Sequence, residues 1–238
     1  MSISEKTKKN LLENTGFFEG NKNYSTVTGN GDGQGMSFGI IQFNFGQKTL
    51  QPLLKDYINN YEKRFEKIFD DKASEFKKVI YDYSNYEQIK WAKSITSSNG
   101  KLESEWSKLF EKLGKDEYNQ KLQIKHASSY IKRALSLAKT FDIKTTQGLA
   151  FLFDQAVHEW SFKSSISTIK NDVNDYARRY FRRYKENMPE FERLGVILDY
   201  VRSNDGKNRR FAIRSGRGYV HGKTYDIDKF HLSYDDKF

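Results

Sequence analysis

Cysteine is absent from the 238 residues. That excludes a disulfide scaffold, thiol catalysis and cysteine-held zinc, while leaving the compartment open, because oxidising compartments also tolerate cysteine-free chains. Proline is scarce, 2 residues against 16 glycines. Because proline removes a backbone donor and clashes one turn back, its scarcity favours long uninterrupted helices over an all-β chain. No apolar run reaches the roughly 18 residues of a membrane-spanning helix. The opening MSISEKTKKN lacks the apolar core of an export signal. Neither a membrane span nor Sec export is therefore expected. His126, His158, His221 and His231 are dispersed and no HExxH occurs, so no metal site is expected. Neither GxxxxGK[ST] nor a complete GxGxxG follows a strand, and GxSxG is missing, which removes phosphate loops and the acyl-transfer serine elbow. An EF-hand also fails. Placing Asn30, Asp32 and Gly33 at loop positions three, five and six puts Gly39 at the twelfth, where a carboxylate is required. No cofactor is expected.

What is present is charge and aromatic bulk. Lysine and arginine total 41 against 31 acidic residues, a formal charge of +10. Such a charge speeds encounter with polyanions and opposes a polycationic partner. The 18 Phe, 15 Tyr and 3 Trp supply enough apolar surface for a folded core. Leu11, Leu12, Thr15 and Phe18 follow a capping Ser4 at helical spacing and predict a first helix ending near Gly20. Tyr24 to Phe45 turns β-rich around the glycine cluster 29–35, a hairpin pattern. Helical periodicity then returns over 48–70, 72–82, 85–96, 102–113, 116–141, 146–160, 164–186 and 189–203, and the tail from Arg209 to Leu232 reads as turns or short strands. The expected fold is α+β, mostly α: one domain over 1–238. Its two lobes would be about 1–60 with 145–238, and 61–144, with a small hairpin at a cleft.

Paired carboxylates are the remaining chemistry. Glu19 closes the first helix in Phe17-Phe18-Glu19-Gly20, where aromatic neighbours would favour the protonated form that a general acid needs. Asp32 lies in a glycine turn, where solvent and free backbone donors would keep it ionised. Glycoside hydrolysis needs this asymmetry: one acid for the leaving oxygen, one carboxylate for water or the sugar cation. By spacing alone the same residues read more readily as a solvated helix end and a common Asp-Gly turn. The apolar stripe of 147–160 predicts a central helix whose Asp154, if buried, requires a cationic partner, with His158 four residues on along the same face. Arg178 to Tyr184 interleaves cations and aromatics as a phosphate-binding face would, but reads better as a solvated helix face, and Trp91, Trp106 and Trp160, which could stack on sugars, read better as core packing.

Gly31-Asp32-Gly33-Gln34-Gly35-Met36-Ser37-Phe38-Gly39-Ile40-Ile41 resembles the hairpin of the lysozyme-like chitosanases, in which a GDGRGYTGGII-like run follows a helix ending in a catalytic glutamate. The resemblance implies a lysozyme-like bilobal helical fold, Glu19 as general acid, Asp32 as second carboxylate, and Ser37 in place of a threonine that helps hold the attacking water. Ser37 to Gln42 is also similar to the SxGxxQ stretch of goose-type lysozymes and lytic transglycosylases, which implies Gln42 facing substrate; His158, by its helix position alone, reads either as a structural histidine or as a substrate contact in a cleft. Phe151 to His158 resembles the family's central helix, implying a buried charge network of Asp154, Arg193 and Arg209 behind Glu19, with Arg210 as an alternative to Arg209. The tail Arg214 to Gly222 resembles the C-terminal tract of proteins described as peptidoglycan-binding. The expected activity is cleavage of β-1,4 bonds in an amino-sugar polymer, with peptidoglycan favoured over chitosan by the positive charge. An endolysin or antibacterial effector would be made in the cytoplasm and act at the wall or periplasm after lysis or non-Sec delivery, with an immunity protein or delivery apparatus as partner and no nucleic acid. The alternatives are a chitosanase and a non-catalytic wall- or polyanion-binding module.

Overall fold

The structure, a computed structural model, describes residues 3–19, 23–31, 33–181 and 188–238. The chain divides into two compact units, 1–20 with 128–238, and 21–127. The crossings thus fall after residues 20 and 127, not near 60 and 144 as the sequence suggested. Residues 24–45 and the start of the following helix pack with the helices up to 127 and so belong with them.

The first unit is built around α8 (Thr146–His158), in which every residue from Thr146 to Ala156 is buried. Its sequence, TQGLAFLFDQAVH, is apolar on all sides, as expected for a helix enclosed by others. Those others are α1 (Glu5–Phe18), α7 (Ser128–Phe141), α10 (Glu190–Leu198) and α11 (Asn204–Ser215), all packed on α8. A further helix, α9 (Ile166–Tyr180), packs on α7 and α10. Ser4, Thr145, Ser165 and Ser203 cap α1, α8, α9 and α11 through their hydroxyls, each satisfying an otherwise orphaned N–H. A hairpin, β4 (Arg217–Val220) with β5 (Lys223–Asp226), follows α11 through Gly216, whose φ of 75° closes the helix in the left-handed conformation.

The second unit holds a small antiparallel sheet, β1 (Val27–Thr28), β2 (Ser37–Phe38) and β3 (Phe43–Asn44), in that order. The described glycines of the cluster thus fall between β1 and β2, and a third strand follows. Among the described residues the unit also holds the α-helices α2 (Leu50–Phe69), bent at Tyr61, α3 (Ala73–Tyr81), α4 (Asn85–Ser94), α5 (Ser104–Lys115) and α6 (Glu117–His126). Phe65, Phe69, Phe76, Trp91, Trp106 and Phe110 form its aromatic core, with adjacent ring centroids 4.6–6.4 Å apart.

Several elements differ from the sequence expectation, among them the helix expected over 189–203, which ends at Leu198. The helix expected over 116–141 is two, α6 and α7, separated at Ala127, where the chain passes from one unit to the other. The tail expected to turn from Arg209 onward is instead helical through Ser215, because Arg209, Arg210, Ala212 and Ile213 form a buried face. Consecutive arginines read as solvent-facing charge in a sequence, and only their buried partners make them a helix interior. The helix expected over 164–186 is described as far as Tyr180; Arg178 and Arg179 are exposed on it, and 182–187 lie outside the described residues.

Candidate active site

Glu19 follows directly on α1, half-buried, and its Oε1 accepts a 2.5 Å hydrogen bond from Arg209. The same guanidinium donates 2.6 Å to Oδ1 of Asp154, in the middle of the enclosed helix α8. One buried cation thus joins the carboxylate at the end of α1 to a carboxylate in the core. Arg209 lies 5.2 Å over the Phe18 ring, which itself packs on Tyr225 at 4.9 Å. The Phe-Phe-Glu order of the sequence thereby acquires a physical reason: Phe18 walls the cation that holds the next residue.

Arg210, the next residue on α11, also reaches Asp154, donating 3.0 Å to its backbone carbonyl and lying 3.5 Å from Oδ2. Burial opposes both arginine charges. Asp154 and Glu19 together overcome this for Arg209 and raise its pKa, whereas burial prevails for Arg210, which faces Asp154 at longer range. Burial would likewise raise Asp154, but the two guanidinium charges hold its carboxyl below the ordinary value. Asp154 is ionised, and its charge is matched within the core, which is what makes its burial tolerable.

Arg193 takes no part in this network. It donates 2.7 Å to the backbone carbonyl and 2.5 Å to the carboxylate of Asp142, tying α10 to the turn after α7. The second arginine of the network is Arg210. Adjacent residues on a helix do not share a face, but here both long side chains curl toward one carboxylate on α8, which spacing alone does not reveal.

Asp205, in the first turn of α11, is a residue the sequence reading missed. It lies within 4.0 Å of Arg209, 3.5 Å from Nε2 of His158, and in hydrogen-bond contact with Nε2 of His221. His221 contacts the backbone carbonyl of Phe18 through Nδ1 at 2.7 Å. Both of its ring nitrogens face acceptors, so the imidazolium suits the site, and the Asp205 contact raises its pKa despite partial burial. This histidine, carried by the turn between β4 and β5, occupies one of the carbonyls that α1 leaves unpaired at its end. It thereby fixes the backbone immediately before Glu19. His158 responds in the opposite sense: burial, then the Arg209 charge, lower its pKa and keep it neutral. Glu159 completes the cluster. Burial would raise its carboxyl, but the Ser203 hydroxyl, the N–H groups of Ser203 and Arg202, and the Arg210 charge bring it down to about 2.

In the second unit Ser37 lies on β2, opposite Thr28 and Asn44, and is buried. Gln42, with φ of 57°, turns back on its own loop: its Nε2 donates 2.7 Å to the Gly39 carbonyl and its Oε1 accepts from the Thr28 hydroxyl at 3.2 Å. Its amide thus braces the hairpin. Asp32 lies outside the described residues. Among the described residues no group of three or more His, Cys, Asp or Glu is placed to hold a metal ion.

Glu19 thus lies at the end of a helix, partly open to solvent, with one carboxyl oxygen held by a buried cation and the backbone before it held by a histidine. No protein-family model and no curated protein sequence matches the chain. Solved structures do. Chitosanase from Bacillus subtilis MY002 is similar at a TM-score of 0.58 and 15% identity, over 95% of this chain and 98% of that one. The likeness is one of fold. A mutant chitosanase from the same source, complexed with 6 GlcN, gives 0.56 and 13% over 95% and 98%. The GH46 chitosanase of Gynuella sunshinyii, complexed with chitotetraose, gives 0.57 and 10% over 94% and 98%. The mostly helical, lysozyme-like fold expected from the sequence is therefore the fold of the chain, along nearly its whole length.

Proposed function

We propose that the protein is a glycoside hydrolase cleaving β-1,4 bonds of an amino-sugar polymer, with Glu19 as general acid. The observation that carries this reading is the Asp154, Arg209, Glu19 chain, a carboxyl held at the end of α1 by a buried cation, on a fold shared with chitosanases. The second carboxylate of the reading is Asp32, with Ser37 beside water on the opposite sugar face. Carboxyl groups about 6.5–9.5 Å apart give inversion. No step requires a metal or cofactor.

The substrate proposed is peptidoglycan, because a charge of +10 draws the protein to anionic wall polymers and opposes a polyamine. The place of action is the cell wall, reached after lysis or by non-Sec delivery. The second reading, chitosan, is favoured by the glucosamine oligomers in the similar structures. Reducing-end release from purified peptidoglycan and from chitosan, for wild type and Glu19→Gln, decides between them. The expected outcome is release from peptidoglycan that falls at least about 100-fold in Glu19→Gln, the scale of a lost general acid. Release from chitosan alone would transfer the assignment, and no release from either polymer would end the enzymatic reading.

A further inference from the structure

Two of the three tryptophans are core residues, as expected: Trp91 and Trp106 are 8% and 3% exposed. Trp160, also expected in the core, is 49% exposed. It follows α8 with φ of 56°, a left-handed conformation that helix ends ordinarily assign to glycine or asparagine. A bulky residue held there is a local strain that the surroundings must impose. They do: its N–H donates 2.9 Å to the Gln155 carbonyl, and the Gln155 side chain donates 3.2 Å to the carbonyl of Ser161. Glu159, just before it, is clamped by Ser203 and Arg202. The indole is therefore presented to solvent on a rigid support, at the end of α8 that also carries His158.

Two side chains of α7 complete the surface. Tyr130 meets the indole edge-on, with centroids 6.0 Å apart, and Arg133 stands over it, its guanidinium carbon 5.8 Å from the ring centroid. No carboxylate among the described residues pairs with Arg133, and its buried Nε lacks a hydrogen-bond partner. A guanidinium left without an anion, beside a half-exposed aromatic face, is a donor set awaiting an acidic ligand with an apolar ring face.

We infer that Trp160 and Arg133 form a glycan subsite that selects a sugar bearing a carboxylate, such as the lactyl acid of a muramoyl residue. The C–H face of the sugar stacks on the indole and the carboxylate pairs with the guanidinium. This rests on the glycosidase reading and sharpens it, because a glucosamine ammonium would meet Arg133 with like charge, whereas a muramoyl carboxylate is attracted to it.

The test exploits the distribution of tryptophans, since Trp160 is the exposed fluorophore. Peptide-free oligomers alternating N-acetylglucosamine and N-acetylmuramic acid, and N-acetylglucosamine oligomers of equal length, are titrated into the Glu19→Gln protein, so that turnover does not intervene. Expected are a change in indole emission, about tenfold tighter binding of the acidic oligomer, and loss of that preference in Arg133→Met, the worth of one charge-assisted hydrogen bond. Trp160→Ala should lose the emission change and weaken binding by calorimetry, with Trp160→Phe intermediate. Equal affinity for the two oligomers, or unaltered affinity in Trp160→Ala, overturns the subsite. Cleavage of peptidoglycan by a protein whose Trp160 is silent would sink the subsite alone. Selective binding without any turnover by wild type would sink the glycosidase reading and leave the subsite standing.

Discussion

Two histidines on either side of Asp205 carry opposite signs of pH dependence, and the difference lies entirely in their partners. His221 has a raised pKa because Asp205 accepts from it, so the folded state binds its proton more tightly than the unfolded chain does. Its contribution is fully present below the unfolded value, about 6.5, and is lost as pH rises through the folded one. His158 has a lowered pKa through burial and the Arg209 charge. It costs stability as pH falls below about 6.5 toward its folded value, because the unfolded chain then gains a proton that the folded state refuses. Thermal unfolding should therefore show His221→Gln losing more Tm at about pH 5.5 than at about pH 8.5, and His158→Gln reducing the acid sensitivity of the wild type. Parallel curves for His221→Gln and wild type across that range would contradict the assignment. Glu19, Asp154 and His158 were legible as residue types worth watching. Asp205 and His221 were not, because an Asp in a first helical turn and a His in a glycine-rich tail have ordinary explanations until their side chains are seen to meet.

Elements position the candidate groups through a few buried polar anchors. In the second unit the anchor is Gln123 on α6. Its Oε1 accepts 3.0 Å from the Ile40 N–H, and its Nε2 donates to the Tyr24 carbonyl at 2.9 Å and to Asn119 at 2.7 Å. One amide thus holds both flanks of the sheet that carries Ser37. Gly39 is required beside it: with φ of 84°, any Cβ would fall 2.3 Å from the Gln123 oxygen. Gln123→Met keeps the volume and strips the hydrogen bonds, leaving the buried Ile40 N–H without its acceptor. A loss of about 1–3 kcal/mol is expected in urea unfolding, with faster amide exchange at residues 36–45. A variant as stable as wild type, with its exchange unchanged, would remove Gln123 from this role. The glycine run and the β-rich residues around it announced a hairpin, but not that a glutamine 83 positions away closes it, because sequence spacing carries no information about which distant amide faces an exposed N–H.

At the scale of the molecule, charge separates the two candidate substrates. With a formal charge of +10, binding to anionic wall polymer is helped by the protein's field at low salt, and binding to chitosan is opposed by it. Screening shortens the reach of that field to about 10 Å at 0.1 M salt and about 3 Å at 1 M. Initial rates on peptidoglycan are therefore expected to fall several-fold as salt rises over this range, and any rate on chitosan to rise or hold. A peptidoglycan rate indifferent to salt would show that net charge plays no part in substrate choice.

The class of fold and most of its elements were legible in the order of residues. Apolar periodicity, serine and threonine caps and glycine breaks act over a few residues, and the mostly helical chain with its small antiparallel strands follows from them. The order of residues also marked Glu19 and the buried Asp154, since a carboxylate inside an apolar helix demands a cation. Which cations answer emerges on packing: Arg209 and Arg210 from α11, while Arg193 serves Asp142. Packing also leaves Trp160 in solvent when Trp91 and Trp106 are not. Both outcomes depend on contacts between segments far apart in the chain, where burial and partner are properties of the packed molecule and not of any local run of residues.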